Sequence, residues 1–254
     1  MSKIGCALLV CIALMASAGT SAVSADTIDG YHPGVWVDSD GFTNSCLGQT
    51  DNYPAKMYAQ ATSLLSLIGF TSDGQHQIGH GFTRSAFLTS LTIDYGVYVH
   101  SHGDIFASSA IRAAFLQDPP AGRCNDYTKD YVSAAQVLAN AHPPYNVVIM
   151  STCYLGSMYQ PHKGSSYVNL MPEAFGIPKT HVTSGNRFYM GYVYSTFDSA
   201  MYYFEQNFYE FLQLHPGSTL SQAWTTAAAE GPYDYPDSSD PFLSAWYGDW
   251  NLVG

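Results

Sequence analysis

The sequence predicts an α/β fold: a mostly parallel sheet flanked by helices on both faces. Three observations lead there. Apolar runs of strand length alternate with stretches of helical period along most of the chain. The clearest strands, residues 95–99 and 145–150, carry continuous apolar runs (in the second over 147–150) rather than alternation, as strands covered on both faces do. The chain has 254 residues, 46% of them hydrophobic and only 11% charged, enough for one sizeable core.

Residues 1–25 are read as a signal peptide and set apart from the fold. Lys3 gives a basic start, Ala7 to Ala16 is an apolar run, and Val23-Ser24-Ala25 is a small-residue cleavage site. Residues 26–254 then form a single domain of a secreted protein. Val35-Trp36-Val37 is a short strand that ends in the turn residues Asp38-Ser39-Asp40-Gly41. Met57, Ala61, Leu64, Leu65 and Ile68 recur at helical spacing, so residues 53–69 are a helix that Gly69 stops. Residues 85–91 form a second, shorter helix.

Residues 95–99 are a strand that runs into His100-Ser101-His102-Gly103-Asp104. A helix follows within residues 130–142, with Val132, Ala135, Val137 and Leu138 on its apolar side. Residues 145–150 are a buried strand ending at Ser151-Thr152-Cys153, and residues 188–194 are another. Asp198 or Ser199 caps a helix with Met201, Phe204, Phe208 and Phe211 on one stripe. Pro216-Gly217 breaks it, and Ser218 caps a last helix that runs to about Gly231. The remaining tail is turn-rich, then aromatic, and is expected to pack as irregular structure.

Composition excludes several roles. The formal net charge is −11, so a nucleic-acid partner bound through its phosphates is not expected. No apolar stretch has the length of a membrane span. Cys46, Cys124 and Cys153 follow the leader. Two readings stand for them: a Cys46–Cys124 disulfide beside a Cys153 thiol, or three thiols.

In parallel sheets, ligands bind beyond the carboxyl ends of the strands. Two such ends carry reactive side chains here, His100/His102 and Cys153. An imidazole can generate a thiolate at neutral pH, and the thiolate is a strong nucleophile. Gly103 would let a backbone N–H approach a substrate carbonyl, and the Cys153 N–H would be a second donor to the oxyanion. Small or compact neighbours (Ser151, Thr152, Gly156) would keep the thiol reachable.

Residues 97–104 (VYVHSHGD) and 147–156 (VVIMSTCYLG), the latter followed by Ser157-Met158, resemble the histidine and cysteine segments of the caspase–legumain–gingipain superfamily of cysteine peptidases. The stretch from Phe188 to Ala228 is similar to the end of bacterial caspase-like CHAT domains. There, a strand precedes an Asp, an aromatic-rich helix, Gly-Ser-Thr-Leu and an Ala-rich helix. The resemblance covers roughly Val35 to Glu230. It implies a six-stranded, three-layer caspase-like sandwich, with His102 as base, Cys153 as nucleophile and a peptide as substrate. His100 is then a neighbour of the dyad, on the substrate side or in the packing. No metal or organic cofactor is called for. The chain departs from many relatives at Thr152, where they have Ala, and at Tyr154-Leu155.

Two other readings compete. His100-Ser101-His102-Gly103-Asp104 is an H-x-H-x-D pattern after a strand, as in zinc hydrolases, with His76 and His80 as further ligands. Those enzymes usually place His directly after the Asp, and Ile105 stands there. The 20 Tyr and 4 Trp would also suit an inactive, exported binding protein on the same fold. Asp38-Ser39-Asp40-Gly41 looks like a fragment of a calcium loop, but its later ligands are out of register. Asp104, Asp198 and residues 154–178 are the candidates for lining a substrate pocket.

Overall fold

Every side chain from Val147 to Thr152 is buried, as befits a strand at the middle of a sheet. The structure is a computed structural model and describes residues 34–39, 53–68, 76–78, 84–92, 94–101, 103–105, 113–116, 131–141, 145–156, 170–177, 187–192, 196, 198–230 and 244–249. Its strands are β1 (Gly34–Ser39), β2 (His76–Ile78), β3 (Asp94–Ser101), β4 (Gly103–Ile105), β5 (Ala113–Leu116), β6 (Tyr131–Ser133), β7 (Val147–Thr152), β8 (Arg187–Tyr192) and β9 (Ser244–Asp249). Its helices are α1 (Tyr53–Leu67), α2 (Arg84–Ser90), α3 (Ala134–Asn140), α4 (Met171–Ala174), α5 (Asp198–Leu214) and α6 (Leu220–Ala229).

The main sheet has six strands in the order β2-β1-β3-β7-β8-β9. All neighbours are parallel except β9, which runs antiparallel to β8. The expected class therefore holds: a mostly parallel sheet with helices on both faces. A second, antiparallel sheet of order β4-β5-β6 leaves the main one directly after β3. Among the described residues no helix is long and apolar enough to cross a membrane.

Strand alternation sorts the core into two layers. Tyr98, Val147, Ile149, Phe188, Met190 and Tyr192 face one side. They pack against Met57, Ala61, Leu64 and Leu65 of α1, Met201, Phe204, Phe208 and Leu212 of α5, and Leu220, Ala223 and Ala227 of α6. Val97, Val99, Val148, Met150 and Tyr189 face the other side, against Phe87 of α2, Val137 of α3 and Met171 and Ala174 of α4. The periodic helices formed where their spacing required.

Three expectations need correction. The helix expected within 130–142 is α3, but β6 precedes it and the apolar side expected for it is only partly right. Val132 is buried on the strand, whereas Ala135 and Leu138 are exposed. The start of α3 is fixed by a capping box: the Gln136 N–H donates to Ser133 Oγ at 3.2 Å, and the Ser133 N–H donates to Gln136 Oε1 at 2.9 Å. The last helix is capped by Thr219, not Ser218, through the same device with Gln222. The C-terminal tail is not wholly irregular, because it supplies β9. Residues 1–25, Cys46, Cys124 and His80 lie outside the described residues.

Candidate active site

β3 and β7 end side by side. His100 pairs with Ser151, and Ser101 with Thr152. His102 lies outside the described residues, but both of its neighbours are described. A Cβ built on Gly103 would stand 2.1 Å from the Cys153 carbonyl oxygen and 3.0 Å from Thr152 Cβ. Main chain packs on main chain here, which only glycine permits. The histidine and cysteine segments, separated by about fifty residues of sequence, thus meet at the carboxyl edge of the sheet.

Cys153 is half-buried and forms no disulfide among the described residues. It opens the turn that follows β7. The Thr196 N–H donates to Cys153 Sγ at 3.3 Å, and the thiol donates to the Thr196 carbonyl at 3.4 Å. The first contact suits a thiolate and the second a thiol. Loss of the proton would therefore turn one bond into a repulsion and push the sulfur away from the carbonyl. Nothing in the sequence singled out Thr196, because its role is a main-chain one.

The turn itself is tightly held. Tyr154 has φ +63°, a left-handed conformation that costs a residue with a Cβ roughly 1–2 kcal/mol. The next two residues are tied to β8. Tyr189 O–H donates to the Leu155 carbonyl at 2.8 Å, and the Gly156 N–H donates to the Tyr192 carbonyl at 2.8 Å. Such anchoring fixes where the chain carries the Cys153 thiol. Thr152 is fully buried, and its Oγ1 has no hydrogen-bond partner among the described residues.

His100 is only 3% exposed. Its Nδ1 lies 3.4 Å from Ser151 Oγ, on the face of the sheet covered by α5. Ser151 Oγ is also 3.5 Å from Met201 Sδ. Beneath them sits Glu205 of α5, 2% exposed. Tyr98 O–H donates to its Oε2 at 2.8 Å, and Tyr192 O–H donates to its Oε1 at 2.9 Å. Burial pushes the Glu205 carboxyl up to about 7, against the opposing pull of the Ser151, Tyr98 and Tyr192 hydroxyls. Burial also raises Tyr98 and Tyr209, and the neighbouring Glu205 charge adds to the rise.

Glu205 escaped the sequence reading, although a signal was present. It stands one helical turn from Met201 and Phe208, inside the apolar stripe of α5, where an acid calls for an explanation. Of the other sequence candidates, Asp104 lies on β4 and Asp198 opens α5. His76 lies on the edge strand β2, with β1 between it and β3.

No protein-family model matches the chain, and no curated protein matches it. Among solved structures, caspase-1 from Spodoptera frugiperda is similar at 11% identity and a TM-score of 0.46, over 87% of this chain and 90% of that one. A structural-genomics target from Geobacter sulfurreducens is similar at 9% identity and a TM-score of 0.45, over 85% of this chain and 94% of that one.

Proposed function

We propose that the chain is an exported cysteine endopeptidase of caspase-like fold, with Cys153 as nucleophile and His102 as general base. The observation that supports this best is the seating of Gly103 on the Cys153 carbonyl, which brings the chain beside His102 against the chain at Cys153. The sequence resemblance in both segments and the leader-like residues 1–25 support it further.

The reaction follows from those groups. His102 takes the Cys153 proton, and the sulfur attacks the carbonyl carbon of a peptide bond. The oxygen becomes an oxyanion and accepts from the Gly103 and Cys153 N–H groups. Losing one such donor costs an acyl-transfer enzyme roughly 3–4 kcal/mol of transition-state stabilisation. The C–N bond then breaks, and the departing amine takes the proton from His102. Water, deprotonated by His102, attacks the resulting thioester. The acid leaves, and the Cys153 thiol recovers its proton.

A peptide-library cleavage profile of the secreted protein tests the reading. Cys153→Ala and His102→Ala are each expected to abolish hydrolysis, and His100→Ala to leave more of it. A dead His100→Ala beside an active His102→Ala would overturn the assignment of the base. Activity lost to a chelator but resistant to thiol alkylation would instead indicate the H-x-H-x-D zinc site. A wild-type protein that cleaves nothing, yet binds a partner as well as Cys153→Ala does, would be a binding protein on this fold.

A further inference from the structure

One residue grips the candidate nucleophile with both of its main-chain groups. Cys153 follows the end of β7, and Thr196 lies between β8 and α5, 43 residues later. The Thr196 N–H reaches Cys153 Sγ at 3.3 Å, and Sγ reaches the Thr196 carbonyl at 3.4 Å. The two sides of this grip are themselves held. On the cysteine side, the Leu155 carbonyl and the Gly156 N–H are tied to β8. On the threonine side, β8 ends at Tyr192 and α5 opens at Asp198, and Tyr192 O–H joins that strand to that helix through Glu205 Oε1 at 2.9 Å.

The two contacts favour opposite forms of the sulfur. An S–H is a weak donor, so the carbonyl favours the thiol only slightly. An N–H bond to an anion is charge-assisted and about twice as strong as a neutral one. The balance lies with the thiolate. The titratable groups on the surrounding elements, among the described residues, have other contacts of their own. His100 of β3 faces Ser151 Oγ, Glu205 of α5 takes the hydroxyls of Tyr98 and Tyr192, and Lys56 of α1 lies over the Tyr202 ring. Tyr154 packs in the opposite core layer, and Asp198, an acid, would oppose a thiolate rather than favour it.

We propose that the main chain of Thr196 belongs to the catalytic apparatus: its N–H stabilises the Cys153 thiolate and is the pivot on which the sulfur turns when the thiol loses its proton. The inference deepens the peptidase reading and rests on it. In the resting thiol the proton points at the Thr196 carbonyl. Once His102 has taken that proton, the carbonyl repels the sulfur while the N–H still holds it. The sulfur swings away from the carbonyl without leaving the N–H. The nucleophile is therefore formed in a fixed place, and a larger share of it is ionised at neutral pH.

The wild-type protein provides the first test. The rate at which iodoacetamide labels Cys153, followed against pH on its own peptide by mass spectrometry, gives the midpoint of thiolate formation. The Thr196 amide proton resonance is followed over the same range. A charge-assisted bond deshields that proton, so the resonance should move downfield with the same midpoint, and the step should vanish in Cys153→Ala. A Thr196 resonance that stays flat while Cys153 ionises would overturn the proposal.

Two substitutions supply the second test. Thr196→Ala keeps both main-chain groups and should overlay the wild type. Thr196→Pro keeps the carbonyl and lacks the N–H. Its labelling midpoint should rise by about one pH unit, the scale of one N–H bond to an anion. Below both midpoints that is about ten-fold less thiolate. Its kcat/KM on a cleaved library peptide should fall by a similar factor at neutral pH and recover as the pH is raised, which a merely distorted site would not do. A folded Thr196→Pro with the wild-type midpoint would overturn the proposal. Neither the labelling nor the resonance needs a cleaved peptide. A titrating Thr196 amide in a protein that hydrolyses nothing would uphold the grip on the thiolate and sink the peptidase reading alone.

Discussion

Gly156 and Gly191 meet backbone to backbone: a Cβ built on Gly156 would stand 1.9 Å from the Gly191 carbonyl oxygen. Both residues are buried. The contact lets the turn after Cys153 lie flat on β8, where the Gly156 N–H reaches the Tyr192 carbonyl. Gly156→Ala would force apart two main-chain segments, neither of which can rotate out of the way. Overpacking of this kind typically costs about 1–3 kcal/mol, and the upper end is expected here. Urea unfolding of the variant measures it, and an unchanged midpoint would contradict the contact.

Gly103→Ala addresses the opposite side of the site. The new methyl would collide with the Cys153 carbonyl oxygen, so either β4 or the Cys153 turn must move. Peptidase activity should fall by at least roughly 100-fold, since displacing a reactive group by about an ångström is worth that much. A parallel measurement is the rate at which iodoacetamide labels Cys153, followed on its own peptide by mass spectrometry. Labelling at the wild-type rate with intact activity would show that the approach of the two segments is not needed.

Glu205 gives a stability prediction with a definite sign. Its folded carboxyl ionises at about 7, well above the ordinary range, because it is buried. Proton loss is easier in the unfolded chain, so the contribution of this group to stability is full below the unfolded value. It is lost as the pH rises through the folded one. Between pH 4 and pH 8 the loss is about 3 kcal/mol. Glu205→Gln cannot ionise, so its stability relative to the wild type should improve by about that amount over the same interval. Unfolding curves for both proteins at the two pH values decide it. Parallel curves would mean that the carboxyl ionises in its ordinary range.

Thr152 predicts the reverse of the usual cost of a core substitution. Its buried hydroxyl has no hydrogen-bond partner among the described residues. Thr152→Val keeps the shape and removes the unsatisfied oxygen, so stability should be unchanged or higher by about 1 kcal/mol. A clear loss in a denaturant titration would show that the hydroxyl has a partner in solution.

Much of the fold was legible because its cause is local. α1 and α5 announced themselves by apolar residues on one stripe, and β7 by an unbroken apolar run. The error at residues 130–142 came from crediting Val132 to a helical stripe, although Ser133 and Gln136 spelled out a capping box. β9 was missed for a different reason. Its pairing with β8 is non-local, and the Pro- and Asp-rich segment before it reads as turn. At the site, Cys153 and Gly103 were legible as strand-end residues. Thr196 was not, because a main-chain N–H leaves no mark on the side-chain pattern. Glu205 was visible as an acid in an apolar stripe, but the tyrosines that donate to it lie on two different strands.

β9 is the one strand of the main sheet that runs against its neighbour, and it covers the flank of β8. Shortening the chain after α6 would strip that flank and leave a row of unsatisfied amides and carbonyls along β8. Such a shortened protein should recruit other copies of itself along the bare flank and come out of solution. Whoever trims this polypeptide for crystals or display should spare the six residues that hem the far border.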